Sequence, residues 1–234
     1  MNDRPFLLVF AGPNGSGKST LTNYLLEAGI EFGTYINPDE IALTLGHLSE
    51  PQRAARAQSI ADFQRDTCLL RGESFSFETV MSHPSKVEIM IRAHDAGYDV
   101  TLYFIATSDP EINVRRVENR VSTGGHDVPH DRIRARYWRT LSLLPHAALV
   151  AGRTVVFDNS ALIGYPPGRN LPNAKSGLRP VAEVIRRDNQ YDLTLEADVP
   201  EWVFRHLVEP LSGVGQASEG GIAVAIHQKD GPLA

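Results

Sequence analysis

A single cysteine, Cys68, stands in the 234 residues. No disulfide can therefore close within the chain, and nothing suggests a thiolate cage for a metal. A reducing compartment suits such a composition. Long apolar runs are missing as well. The one nearest the start, Phe6 to Ala11, is far shorter than the about 20 residues a membrane-crossing helix needs. Positive charge is in deficit, with 23 Lys and Arg against 28 Asp and Glu and a net charge of −5. That balance argues against general attraction to nucleic acid or to an anionic membrane. The chain reads as cytoplasmic, with no nucleic-acid and no membrane partner, and with partners met at local sites. With 42% hydrophobic side chains, it can bury the core of one domain of ordinary size.

Phe6-Leu7-Leu8-Val9-Phe10-Ala11 stops at Gly12 and has the continuous apolar character of a parallel strand covered on both faces. Ser19 to Ala28 follows with Leu21, Tyr24 and Leu25 at helical spacing, then Gly29. Thr34-Tyr35-Ile36 runs into Asn37-Pro38-Asp39-Glu40, where proline suits the first turn of a helix. A long helix is expected over Pro51–Arg71, a strand over Ser74–Glu78, a helix over Pro84–Ala96 and a strand over Asp99–Ala106. Helices from Pro110 to Val121 and from His130 to Leu144 and a strand over Arg153–Asp158 complete the alternation. Strands alternating with helices in this way predict an α/β fold of three layers around a mostly parallel sheet. Tyr165–Pro180 reads as a long irregular loop and Val199–Leu211 as one helix. We assign 1–211 to the domain and expect 212–234, rich in glycine, to be a weakly ordered tail.

Gly12-Pro13-Asn14-Gly15-Ser16-Gly17-Lys18-Ser19 fits the pattern G-x-x-x-x-G-K-[ST] between an apolar strand and an amphipathic helix. The glycines let successive backbone N–H groups wrap a phosphate, and the helix start aims its free N–H groups and partial positive charge at it. Gly12, Asn14, Gly15, Ser16, Gly17, Lys18, Ser19 and Thr20 are the candidate nucleotide-binding residues. Lys18 is expected to reach the β- and γ-phosphates of ATP and the Ser19 hydroxyl to ligate Mg²⁺. Leu211-Ser212-Gly213-Val214-Gly215-Gln216 approximates an ATP-binding-cassette signature. No apolar strand ending in an acid precedes it, so it reads as part of the tail.

Asp39 and Glu78 each follow a short apolar segment, and strand C-termini form the ligand-binding rim of such sheets. A carboxylate there can take the proton of an attacking hydroxyl; Asp39 stands equally as a helix cap or first-turn acid. A strand ending in Glu78 needs a partner for that acid. Asp158 stands in a similar place, although Asp158-Asn159-Ser160 is also ordinary loop chemistry. Seven arginines fall between Arg115 and Arg139, on two helices separated by Thr123 to Pro129. Arginine-bearing helices joined at Gly124-Gly125 describe a lid, over about 110–145, that closes on phosphates. Arg120 and Arg136 flank the hinge, and Arg132 is the alternative to Arg136. His126 and His130 are four apart, but Pro129 interrupts any helix between them, so they do not read as a metal site. Tyr137 and Trp138 are too few aromatics for a nucleic-acid face.

Taken in order, Gly12 to Thr20, Asn37-Pro38-Asp39-Glu40-Ile41-Ala42, Phe77-Glu78-Thr79, Arg120-Val121, Gly124-Gly125-His126-Asp127-Val128-Pro129 and Arg136-Tyr137 resemble the zeta toxin-like P-loop kinases over about residues 5 to 160. The resemblance implies a P-loop kinase fold and an enzyme that uses ATP and Mg²⁺ to phosphorylate a small-molecule acceptor, such as the sugar 3′-hydroxyl of UDP-N-acetylglucosamine. It also implies an antitoxin protein as a partner. It carries over Asp39 as the base, Glu78 and Thr79 as acceptor-binding residues, and Arg120 and Arg136 as γ-phosphate clamps, beside Lys18. Two other readings stand next to it: a nucleotide-dependent binding protein or switch, and a kinase for a nucleoside or antibiotic hydroxyl.

Overall fold

The computed structural model describes residues 4–122, 128–161, 177–188, 190–217 and 223–229. The expected hinge residues Gly124, Gly125, His126 and Asp127, and most of the loop expected over Tyr165–Pro180, lie outside them. Strand β1 (Phe6–Ala11) leads through the glycine-rich loop into α1 (Lys18–Glu27), β2 (Thr34–Ile36), α2 (Pro38–Leu43), α3 (Glu50–Arg71), β3 (Phe75–Thr79) and α4 (Ser85–Asp95). β4 (Asp99–Ala106), α5 (Pro110–Ser122), α6 (His130–Val150) and β5 (Arg153–Asp158) follow.

These strands lie side by side in the order β2-β3-β1-β4-β5, all parallel. Strand side chains alternate between faces. Leu7, Val9 and Ala11 of β1 thus enter one core, with Ala61 and Cys68 of α3, Met90 of α4 and Leu141 and Leu144 of α6. Leu8 and Phe10 enter a second core with Leu21 of α1 and Phe32. The two cores are the physical content of the three-layer arrangement. Beyond α5 and α6, the cluster Val114, Val117, Val128 and Ile133 holds the helical pair together. Helix α6 outruns its expected end at Leu144 and continues through Pro145. Ala147 and Ala148, both fully buried, supply the packing that offsets the lost backbone bond.

The chain leaves β1 toward β2 on one flank and leaves β4 toward β5 on the other. The C-terminal ends of β1 and β4 therefore border a crevice where the topology switches direction, the place where open α/β sheets bind ligands. The sheet is also wider than the sequence implied. β6 (Arg179–Arg187) pairs antiparallel with β5, β7 (Gln190–Leu195) antiparallel with β6, and β8 (Ala223–Gln228) parallel with β7, giving eight strands. The last helix runs as α7 (Glu201–Val203), a π-helical turn over Phe204–Val208 and α8 (Glu209–Ala217). Of the segment 212–234, expected as a weakly ordered tail, residues 212–217 lie in α8 and 223–228 in the edge strand β8, while 218–222 and 230–234 lie outside the described residues. The helix that leads into this segment is anchored by Trp202, Val203, Leu207 and Leu211 in the large core, and Val224 of β8 packs against the same core. Among the described residues no helix is long and apolar enough to cross a membrane.

Candidate functional site

The phosphate loop is braced from two sides by asparagines. Asn113, on the first turns of α5, donates its Nδ2 to the Asn14 carbonyl at 2.6 Å, and Asn159, just past β5, donates to the Ser16 carbonyl at 2.7 Å. Both asparagines are buried, at 0% and 4% exposure. Thr107 holds the Asn113 Oδ1 with its hydroxyl. The fit against Asn159 is close enough that a Cβ at Gly17 would lie 2.4 Å from its amide nitrogen, and Gly17 has φ +103°, so only glycine serves there. With two loop carbonyls held by these amides, the groups left to be satisfied include the Asn14 Oδ1 and the Ser16 Oγ, buried without hydrogen-bond partners among the described residues. Of these, the Ser16 hydroxyl can donate to a phosphate oxygen and so fits a phosphate-bearing ligand.

Lys18, the first residue of α1, folds back so that its Nζ donates to the carbonyls of Gly12 at 3.0 Å and Pro13 at 3.1 Å. Burial pushes its pKa down, opposed by the carboxylates of Glu78 and Asp39, while the Arg120 guanidinium adds to the lowering. Lys18 of α1 thus lies in the field of charges from β3, α2 and α5. Arg136 is not among the charges acting on Lys18. It is half-buried on α6, its pKa lowered by burial and by Arg132 and Arg139. Arg134, between the two candidates Arg132 and Arg136, is committed elsewhere, its Nε and Nη2 gripping both carboxylate oxygens of Glu111 at 2.5 and 3.0 Å.

Glu78 is a hub. Its Oε2 accepts from the Ser19 hydroxyl at 3.2 Å, and its Oε1 from Thr22 at 3.0 Å and Tyr35 at 2.8 Å. Burial, then the Glu78 charge and its hydrogen bond, push the Tyr35 phenol far above its ordinary pKa, so Tyr35 stays a donor. The carboxylate is turned toward α1. Thr79, implied with it for acceptor binding, accepts from the Met81 N–H at 3.0 Å. Asp39 is exposed, and the cap of α2 is Asn37, whose Oδ1 accepts from the Asp39 N–H at 3.0 Å. The Asp39 carboxylate is therefore not spent on capping. Asp158 is spent: 3% exposed, it accepts at Oδ1 from the Trp202 indole at 2.9 Å and from the Ser160 hydroxyl at 2.5 Å, tying α7 to β5.

The Ser19 hydroxyl, held from behind by the Glu78 carboxylate, is the hard oxygen donor that magnesium takes. Among the described residues no three His, Cys, Asp or Glu side chains group into a metal site, so an ion there would draw its other ligands from phosphate and water. Thr20, last of the candidate loop residues, is exposed on α1. Thr22, Tyr35, Asn113 and Asn159 were not legible as site residues. The signal for Asn113 was a polar residue adjoining the stripe Val114, Val117 and Val121.

The family model for zeta toxin matches residues 1–161. The chain belongs to the zeta toxin family. The match ends just after β5, so β6, β7, β8 and the last helix of this zeta toxin family member lie outside it. An uncharacterized protein of Haemophilus influenzae is 29% identical over 134 residues, 56% of this chain and 91% of its own. Among solved structures, a chain of the AvrRxo1-ORF1:-ORF2 complex with ATP has a TM-score of 0.59 at 19% identity over 79% of this chain. This chain spans 59% of that one. A chain of the PezAT chromosomal toxin-antitoxin system of Streptococcus pneumoniae has a TM-score of 0.50 at 18% identity, over 67% of this chain and 69% of its own. At such identities what is shared is the P-loop kinase-like fold.

Proposed function

We propose that this zeta toxin family member is an ATP-dependent small-molecule kinase. It transfers the γ-phosphoryl group to a hydroxyl of a nucleotide sugar such as UDP-N-acetylglucosamine. The observation that carries the reading is the glycine loop itself, where the Lys18 Nζ is held on the Gly12 and Pro13 carbonyls beside the Ser19 hydroxyl on Glu78 and the orphaned Ser16 hydroxyl, with the Asp39 carboxylate acting on the same ammonium. A phosphate-binding cation and a free carboxylate at the same sheet edge are what phosphoryl transfer to a hydroxyl requires.

In the reaction the acceptor oxygen bonds to the γ-phosphorus, the bond from that phosphorus to the β,γ-bridging oxygen breaks, and ADP leaves with the electron pair. Asp39 takes the acceptor's proton. Lys18 exchanges the Gly12 and Pro13 carbonyls for the β- and γ-phosphates. Gly12, Asn14, Gly15, Ser16, Gly17 and Thr20 belong to the segment that wraps the phosphate chain. Arg120 on α5 and Arg136 on α6 neutralise the γ-phosphoryl as the two helices close as a lid. Ser19 would be the protein ligand of magnesium, which would offset phosphate charge there, and Glu78 keeps the Ser19 hydroxyl oriented.

A protein partner of the antitoxin kind, supported by the family and by the likeness to the PezAT chain, and a cytoplasmic setting belong to the same proposal. The test is a metabolite screen with MgATP read by mass spectrometry. One hydroxyl compound phosphorylated in step with ATP consumption is expected. ATP hydrolysis at one rate regardless of every metabolite added would overturn the kinase reading in favour of a nucleotide-driven switch.

A further inference from the structure

Helix α2, which carries Asp39, has little apolar packing to hold it. None of its six residues is buried, and Ile41 is only half-buried against the large core. The strand that leads into it, β2, is three residues long and stands at the edge of the sheet with β3 as its one neighbour. A short surface element with so few buried contacts opens at low cost. A general base, by contrast, has to meet its proton within hydrogen-bond reach, and small misplacements are expensive.

Side-chain hydrogen bonds supply the missing anchor. The Tyr35 hydroxyl donates to the Glu78 Oε1 at 2.8 Å and accepts from the Asn37 Nδ2 at 3.2 Å. Asn37 also reaches the Glu40 Oε1 with Nδ2 at 3.4 Å, and its Oδ1 accepts from the Asp39 N–H at 3.0 Å. Capping uses the Oδ1 alone. The other end of the amide, aimed at a half-buried phenol on the preceding strand, is therefore left unexplained by capping. Glu78 is in turn fixed to α1 by Ser19 and Thr22. One continuous chain of hydrogen bonds thus leads from the helix that follows the phosphate loop, through Glu78, Tyr35 and Asn37, to the backbone of Asp39. We propose that Tyr35 and Asn37 are positioning residues for phosphoryl transfer, holding the Asp39 carboxylate in register with the phosphate loop. This deepens the proposed function and rests on its reading of Asp39 as the base.

Tyr35→Phe removes the hydroxyl and keeps the ring that packs against Phe32, 5.7 Å between centroids. Asn37→Ser keeps a capping oxygen and removes the donor to Tyr35. Two quantities are measured: amide hydrogen exchange at Asp39 by NMR, and single-turnover transfer from MgATP to UDP-N-acetylglucosamine. In Tyr35→Phe the exchange is expected to quicken and transfer to slow, each about 3- to 10-fold, the worth of one net hydrogen bond, with ATP affinity by calorimetry unchanged. Asn37→Ser is expected to slow transfer as much, and the double variant no more than either single one, because both break the same chain. In an Asp39→Asn background Tyr35→Phe is expected to cost nothing further. Quicker exchange with undiminished transfer would make the contact purely structural, and additive losses or a further fall in the Asp39→Asn background would mean a route that bypasses Asp39; each overturns the proposal. Loss of transfer in Asp39→Asn beside normal transfer in Tyr35→Phe overturns the positioning role and leaves the kinase reading standing. A wild type that leaves this acceptor unphosphorylated ends the nucleotide-sugar reading, and exchange then decides alone: quicker exchange in Tyr35→Phe supports the anchor and unchanged exchange overturns it.

Discussion

Ser19 and Glu78, fifty-nine residues apart, meet hydroxyl to carboxylate at 3.2 Å where α1 begins and β3 ends. The contact joins the residue that would ligate magnesium to an acid whose other oxygen is held by Thr22 and Tyr35. A fixed carboxylate behind a metal-ligating hydroxyl sets its orientation and its basicity.

Glu78→Gln keeps the shape and most of the hydrogen bonding and removes the charge. The Mg²⁺ concentration needed for half-maximal activity is expected to rise about 10- to 100-fold, as for other supporting partners of metal ligands. A Mg²⁺ titration of initial rates checks this. An unchanged requirement would confine Glu78 to holding α1 and β2 together.

Lys18→Ala is expected to leave the fold intact, because among the described residues its Nζ hydrogen-bonds only to carbonyls of its own loop. Turnover is expected to fall by at least about 10²–10³-fold, the cost of removing one group that neutralises transition-state charge. Circular dichroism beside turnover separates the two effects.

Asp39→Asn is expected to lower transfer by about 10²–10⁴-fold, the contribution of a positioned acid–base group. ATP affinity and melting temperature are expected to stay put, since the cap of α2 is Asn37. Single-turnover transfer with calorimetry of ATP binding decides. Full activity in the variant would remove Asp39 as the base, and lost ATP binding would move it to the nucleotide.

Arg120→Ala and Arg136→Ala are each expected to lower kcat more than they raise the KM for ATP, because clamp contacts strengthen as charge redistributes. The effect is expected to be larger for Arg120, whose charge already acts on Lys18. Lysine is a poor replacement for either, lacking the planar fork. Steady-state kinetics showing KM changes alone would withdraw the clamp assignment.

Asn159→Ala leaves the Ser16 carbonyl without the donor that stands 2.7 Å from it. An unsatisfied buried carbonyl costs about 1–3 kcal/mol, and for a chain of this size each kcal/mol moves the melting temperature by about 2–4 °C. A lower Tm accompanied by weaker ATP binding is expected. A lower Tm with unchanged ATP binding would make Asn159 a purely structural support.

The amino-acid sequence by itself determined the parts written in local order. The apolar run before Gly12, the glycine and lysine spacing of the loop, and the alternation through Asp158 specified a parallel α/β domain with a nucleotide loop. Those signals are periodicities and backbone requirements that a residue and its near neighbours express alone. What tertiary structure decided is pairing at long range. Pro180 at the start of β6 and the glycines before β8 hid three strands whose hydrogen bonds come from β5 and β7, and Pro145 hid the end of a helix that its buried alanines sustain. At the site, nothing near Glu78 in sequence announces Ser19, Thr22 and Tyr35, and nothing near the loop announces Asn113 or Asn159. Whether an asparagine or arginine faces water or an orphaned partner depends on which elements the fold packs against it, and that is set only when the sheet closes its order.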